Sequence, residues 1–192
     1  MPLSTIAGVD EAGRGPWAGP VVAAAVILPN DFVCQGLTDS KKMSAKKRQE
    51  AQNTIIQNAV SYCVAEASVD EIDELNILQA TFLAMKRAVD GLSFKPDEVW
   101  VDGHMLPDWS YPSKSIVQGD LYCLSISAAS VLAKNHRDHQ LIQLHEKFPE
   151  YDFSSHKGYG TPKHRKALEK YGPCKEHRKS FAPIRKLLEM AE

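Results

Sequence analysis

The chain has 192 residues, 43% apolar and 24% charged, with 23 Lys/Arg against 24 Asp/Glu. That length suits one domain with a substantial core, or one domain plus a small appendage, and the composition is that of an ordinary globular protein. The net charge of −1 hides an uneven spread: Ser155 to Lys186 holds ten Lys/Arg against Glu169 and Glu176, Lys41 to Arg48 holds five basic residues and no acid, and acids gather in Glu66 to Glu74, an asymmetry that permits an anionic partner. Four scattered cysteines, Cys34, Cys63, Cys123 and Cys174, form no CxxC pair. They argue against a zinc ribbon and suit a reducing compartment, the cytoplasm. The start, MPLSTIAG, lacks the pattern of a signal peptide. The longest apolar run, Val21 to Leu28, is too short to cross a bilayer as a helix.

Thr5 to Val9 reads as a short buried strand. Val21 to Leu28, bounded by Gly19-Pro20 and Pro29-Asn30, reads as a second. Between them lies a stretch that is costly for structure alone. Asp10 and Glu11 place two carboxylates side by side, and Gly13-Arg14-Gly15 follows. Adjacent charges gain nothing from burial, and each glycine costs backbone entropy. Carboxylate oxygens suit Mg²⁺ or Mn²⁺. Glycines let backbone N–H groups approach a phosphate, and an intervening arginine adds a fork of donors. The segment therefore reads as a metal site beside a phosphodiester grip.

Thr38 to Lys42 is a polar loop whose lysines, taken alone, read as solvated surface. Ser44 caps a predicted helix to about Ala59, and Tyr62 to Ala67 is a third strand, so the sheet opens as a meander. Asn76, with Gln79 three residues on, caps an amphipathic helix to Gly91, with Leu78, Phe82, Met85 and Val89 on one face. Glu98 to Gly103 repeats the pattern of apolar residues, Asp and Gly. Alone it is a turn signal; beside the first strand it would let Asp102 converge on Asp10.

Ile116 to Asp120 supplies another strand end with an acid, and a helix is predicted from near Leu121. Its small residues Ser125, Ser127, Ala128, Ala129 and Ser130 let it lie close to the sheet, with Leu124, Ala128, Val131 and Leu132 as its buried stripe. Lys134 and Arg137 extend the same helix. Asp138 competes with Asp120 as a site acid but reads as a surface or salt-bridge residue. Phe153 to Pro162 reads as a loop presenting Tyr159 between glycines, where its ring can stack on a sugar or base. Thr161-Pro162 starts basic helices broken at Pro173 and Pro183. His136-x-x-His139 has no third ligand at a recognisable spacing, and the seven histidines are assigned to surface or structure.

In this order, DEAGRG with Gly19 to Ala25, Asp39-Ser40-Lys41, Val101-Asp102-Gly103, Gly119-Asp120 with the following SISAASVLAK, His156-Lys157-Gly158-Tyr159, and Ser180-Phe181-Ala182-Pro183 resemble the ribonuclease HII family. The resemblance implies a ribonuclease H-like α/β fold: a mixed five-stranded sheet flanked by helices, with a C-terminal helical portion. Residues 1–192 would form a single catalytic domain whose basic helical segment runs from about 155 to 192. It implies Asp10, Glu11, Asp102 and Asp120 as the catalytic, metal-binding set for Mn²⁺ or Mg²⁺. It further implies Gly13, Arg14, Gly15, Lys41 and Tyr159 as substrate contacts. The implied reaction is hydrolysis of the RNA strand of RNA–DNA hybrids, and cutting 5′ to ribonucleotides embedded in duplex DNA, leaving 5′-phosphate and 3′-hydroxyl ends. The expected enzyme is a monomer away from membranes. Trp17 and Gly160 are positions where variation is expected. Two other readings keep less of this: a nuclease of the same fold acting as a resolvase or exonuclease, and a non-catalytic nucleic-acid-binding module built on the basic third.

Overall fold

A computed structural model describes residues 5–34, 37, 40 and 43–190. Its centre is a five-stranded mixed sheet. Strand β1 (Ile6–Ala12) lies between β2 (Val21–Ile27) and β4 (Glu98–Asp102), with β3 (Ser61–Ala67) outside β2 and β5 (Ser113–Ile116) outside β4. The pairs β1–β2 and β2–β3 are antiparallel, giving the expected meander, while β4 runs parallel to β1 and β5 parallel to β4. Val9 pairs with Val101, so the next residues, Asp10 within β1 and Asp102 at the tip of β4, lie on neighbouring strands and on the same face; β1 runs on to Ala12, past the end predicted at Val9.

Both faces of the sheet are covered, which is why β2 is apolar without alternation. Helix α3 (Ile77–Asp90) packs on one face, with Val21, Ala23, Ala25, Val9, Val99 and Val101 beneath it. Helices α1 (Ala45–Asn58) and α5 (Leu124–Lys147) cover the other, over Val22, Ala24 and Val26. The small residues early in α5 have the predicted effect. A Cβ on Gly8 of β1 would stand 2.2 Å from the Ser125 carbonyl carbon and 2.3 Å from the Ile126 nitrogen, so helix and strand meet backbone to backbone.

Ser44 and Asn76 cap α1 and α3 as predicted, Ser44 accepting from the Lys47 N–H and Asn76 from those of Leu78 and Gln79. The core face of α3 is rotated from the predicted stripe. Ala80, Thr81, Ala84, Met85, Ala88 and Val89 are buried, whereas Leu78 and Phe82 are half-buried. Small side chains let this helix settle on its alanine line, closer to the sheet than its larger residues allow. The short helix α2 (Val69–Leu75) lies in the acid-rich stretch and is held by a capping box between Ser68 and Glu71.

Beyond β5 the prediction needs correcting. The strand stops at Ile116, Gln118 adopts φ 55°, and Asp120 lies in a separate one-turn helix α4 (Gly119–Tyr122). Cys123 is extended, so α5 starts at Leu124 rather than Leu121, and Leu124 is exposed instead of joining the buried stripe. The segment 153–162 is also not all loop. It opens with α6 (Phe153–His156), whose Phe153 is wholly buried and stacked on Tyr151 with ring centroids 5.4 Å apart. Helices α7 (Pro162–Tyr171) and α8 (Ala182–Glu189) complete a third apolar cluster with the far half of α5, through Leu141, Leu168 and Ile184. Among the described residues no helix is long and apolar enough to cross a membrane.

Candidate active site

Asp10 lies near the end of the central strand and is 6% exposed. Burial is the chief reason its carboxyl is pushed well above the usual carboxylate range, and the neighbouring charges of Glu11 and Asp102 push in the same direction. Hydrogen bonds from the Ser130 side chain and the Glu11 N–H, the latter 2.7 Å from Oδ1, oppose the shift. Glu11 and Asp102 thus both lie close enough to Asp10 to oppose its ionisation.

Asp120 reaches this end of the sheet through its own backbone. The N–H of the preceding Gly119 donates to Asp102 Oδ1 at 2.7 Å, tying the first turn of α4 to the tip of β4. The break at Cys123 that the sequence reading missed is what places α4 here instead of extending α5. Asp138 does not compete: it is ion-paired with Lys134 at 2.7 Å and Arg48 at 3.2 Å.

The glycine–arginine segment adjoins the carboxylates. Gly13 has φ 100°, and a Cβ there would stand 2.1 Å from Arg137 Nε, so both the turn and the arginine beneath it require glycine. Arg14 lies 3.6 Å from Glu11, within reach of an ion pair. Tyr159 is half-exposed, and its ring edge lies 3.5 Å from where a Gly15 Cβ would be. A cleft of about 240 Å³ is lined by Glu11, Gly13, Arg14, Gly15, Lys134 and Tyr159, among others. Four predicted substrate contacts therefore share one cleft with one of the carboxylates. The fifth, Lys41, lies outside the described residues, as does Asp39. Between them, Ser40 is buried with its hydroxyl 2.9 Å from that of Ser130, the residue that also bonds Asp10.

The donor set suits a hard divalent cation: carboxylates only, with a buried member whose ionisation its neighbours oppose and a cation would favour. Among the described residues no three or more His, Cys, Asp or Glu side chains are grouped so as to hold a metal ion, so the fit rests on donor chemistry and on the nearness of Glu11 and Asp102 to Asp10. His136 and His139 face solvent, His136 beside Glu66 and His139 beside Gln143.

Sequence reading missed Arg137 and Arg178 as parts of this region. Both are buried and donate to backbone carbonyls of residues 13–20. In sequence they look like any other member of a basic stretch.

The chain is similar to known proteins over nearly its whole length. A family model described as Ribonuclease HII matches residues 7–184. The chain is 57% identical over 189 residues to a ribonuclease HII of Burkholderia lata, covering 98% of this chain and 88% of the relative. Among solved structures it is similar to the ribonuclease H2 of Pyrococcus horikoshii, with a TM-score of 0.81 at 26% identity over 97% of this chain and 98% of that one. It shares its fold with Bst-RNase HIII, solved in complex with Mn²⁺, at a TM-score of 0.71 and 15% identity over 98% of this chain and 70% of that one.

Proposed function

We infer the reaction from one premise: the chain belongs to the ribonuclease HII family. It is a ribonuclease H, an endonuclease that hydrolyses phosphodiester bonds. Our reading of its substrate is the RNA strand of RNA–DNA hybrids and duplex DNA carrying single ribonucleotides, cut on the 5′ side of the ribonucleotide to leave 5′-phosphate and 3′-hydroxyl ends. The observation that carries this reading is the convergence of Asp10 and Asp102 from neighbouring parallel strands, with Glu11 beside them and the glycine–arginine cleft adjoining.

Asp10, Glu11, Asp102 and Asp120 are the residues assigned to hold Mg²⁺ or Mn²⁺. The bound ion would lower the pKa of an attacking water and stabilise the leaving 3′ oxygen. Around it, Asp102 fixes the Gly119–Asp120 turn, and Ser130 orients Asp10. Gly13, Arg14 and Gly15 are assigned to grip the phosphate, with Lys41 beside them. Tyr159 is assigned to pack on the sugar, where the 2′-hydroxyl distinguishes RNA from DNA. We assign residues 1–192 to a single catalytic domain, acting as a monomer. The four cysteines are unpaired, which supports a cytoplasmic setting.

The test is cleavage of a labelled DNA duplex carrying one ribonucleotide, with Mg²⁺ or Mn²⁺, beside an all-DNA control and Asp10→Asn protein. A single cut 5′ to the ribonucleotide is expected, absent from the control. In the variant the rate should fall by about 10³-fold or more, since several kcal/mol of charge stabilisation is removed. Salt-sensitive binding without a cut would mean a binding module. Cutting of the control would mean a nuclease of different specificity.

A further inference from the structure

We propose that Arg137 and Arg178 are positioning residues for substrate phosphate, holding the loop from Gly13 to Pro20 with its carbonyls turned inward onto two buried guanidinium groups and leaving the N–H groups of Arg14 and Gly15 free beside the cleft. This rests on the assignment of Gly13-Arg14-Gly15 as the phosphate grip.

The two side chains are 1% and 0% exposed, respectively. Arg178 donates from Nη2 to Gly13 O at 2.6 Å and Pro20 O at 3.1 Å, from Nη1 to Pro16 O at 2.7 Å and Arg14 O at 3.1 Å, and from Nε to Gly19 O at 2.9 Å. Arg137 donates to Pro20 O at 3.3 Å, Ala18 O at 3.2 Å and Lys157 O at 3.1 Å. The last bond joins the loop to the segment that carries Tyr159, so one guanidinium holds both walls of the cleft. Three ammonium donors on a lysine cannot reproduce this fork.

The charge matters as well as the geometry. Neither arginine has a carboxylate ion-pair partner among the described residues. Their charges are met by carbonyl dipoles, which solvate a cation without cancelling it, so a positive field persists beneath the loop. Burial pulls Arg137 down to about 10 and Arg178 down to about 9, and both remain charged at neutral pH. On the opposite edge, Arg14 and Gly15 are exposed, and their backbone N–H groups meet no protein acceptor among the described residues. Carbonyls inward and free N–H groups outward, above two cations, is the arrangement that attracts an anion. A loop held for stability alone has no need of buried charge, which is costly to desolvate.

The experiment measures kcat and KM on a ribonucleotide-containing duplex for wild-type, Arg178→Lys, Arg14→Ala and doubly substituted protein, each confirmed folded by circular dichroism. Arg178→Lys is expected to raise KM roughly tenfold while kcat falls less than about threefold, because the lost alignment acts on ground-state binding. The double variant should cost less than the product of the two singles, since both act through one loop. A folded Arg178→Lys protein with wild-type KM, beside an Arg14→Ala protein with raised KM, would overturn the proposal and leave the grip assignment standing. Unchanged KM in both would overturn the grip assignment and the proposal with it. Independent, multiplying effects would also overturn the proposal. Should Arg178→Lys fail to fold, nuclear magnetic resonance on metal-free wild-type protein decides. On adding duplex, the Arg137 and Arg178 Nε–H signals should move together with the Arg14 and Gly15 amides. Nε–H signals that stay still while those amides move would overturn the coupling.

Discussion

Asp10 is held against its own ionisation. Burial first, then the charges of Glu11 and Asp102, raise its pKa above the ordinary 3.8, despite the hydrogen bonds from Ser130 and Glu11. The sign of the linkage follows. Between the unfolded and folded pKa values the native chain binds the proton more readily, so this group's contribution to stability falls as pH rises through that window. Ionising Asp10 therefore costs the metal-free fold stability. Asp10→Asn removes that charge and keeps an oxygen to accept the Glu11 N–H. We expect the metal-free variant to melt higher than wild type at pH 7, by about 2–4 °C for each kcal/mol of repulsion relieved in a chain of this size. Wild-type protein should gain more from Mg²⁺ or Mn²⁺ than the variant, since the cation offsets the same repulsion. Calorimetry showing a lower melting temperature for metal-free Asp10→Asn would refute the convergence of these carboxylates.

At the scale of elements, the contact between Trp17 and Gly160 joins the loop after β1 to the segment before α7. A Cβ on Gly160 would lie 2.0 Å from the Trp17 ring, and Arg165, which donates to the Gly160 carbonyl at 3.2 Å, has its guanidinium carbon 5.3 Å from the ring centroid. Two positions where the sequence leads one to expect variation are thus coupled. Gly160→Ala should cost about 1–3 kcal/mol through overpacking, and adding Trp17→Leu should recover much of that loss. Thermal melts of the two single variants and the double form the cycle; strict additivity would show that the ring simply moves aside. The same distinction explains what was legible. The strand ending in Asp102, and helices opened by Ser44 and Asn76, announce themselves locally because the signal and its partner lie within a few residues. The placement of α4 rests on a bond between Gly119 and Asp102, seventeen positions apart, and the loop clamp on bonds from Arg178 across more than 150. No local pattern carries either. The capping box of α2, Ser68 with Glu71, was readable in the sequence but was submerged in a run of acids.

Across the whole molecule, a core of histidines ties the basic C-terminal third to the site. The ring of His156 stacks on that of His164 with centroids 4.4 Å apart, and His164 Nε2 lies 3.0 Å from His177 Nε2. Their partners set the tautomers. The Tyr159 carbonyl, 3.0 Å from His164 Nδ1, can only accept, so His164 carries its proton there. The Cys174 N–H donates to His177 Nδ1 at 3.0 Å, so His177 carries its proton on Nε2 and gives it to His164. A second proton on His164 would set two N–H groups face to face. Burial, reinforced by nearby histidines, accordingly lowers both residues to about 4 from the ordinary 6.5. The unfolded chain therefore binds more protons between about pH 6.5 and 4, and stability drops as pH falls through that window, with no further loss from these groups below it. Asp10, with its raised pKa, works in the opposite direction, whereas Glu71 and Asp152, held at about 2, lose their contribution only in stronger acid. The shift of either histidine corresponds to at most roughly 3 kcal/mol, or about 6–12 °C in melting temperature. We expect metal-free wild-type protein to lose stability on this scale between pH 7 and pH 4.5, and His164→Gln to start lower but show a flatter profile. In an Asp10→Asn background, which removes the opposing trend, a melting temperature that holds level across that range would mean that the cluster takes up protons without opening, and that the tie between Tyr159 and the C-terminal third survives their charge.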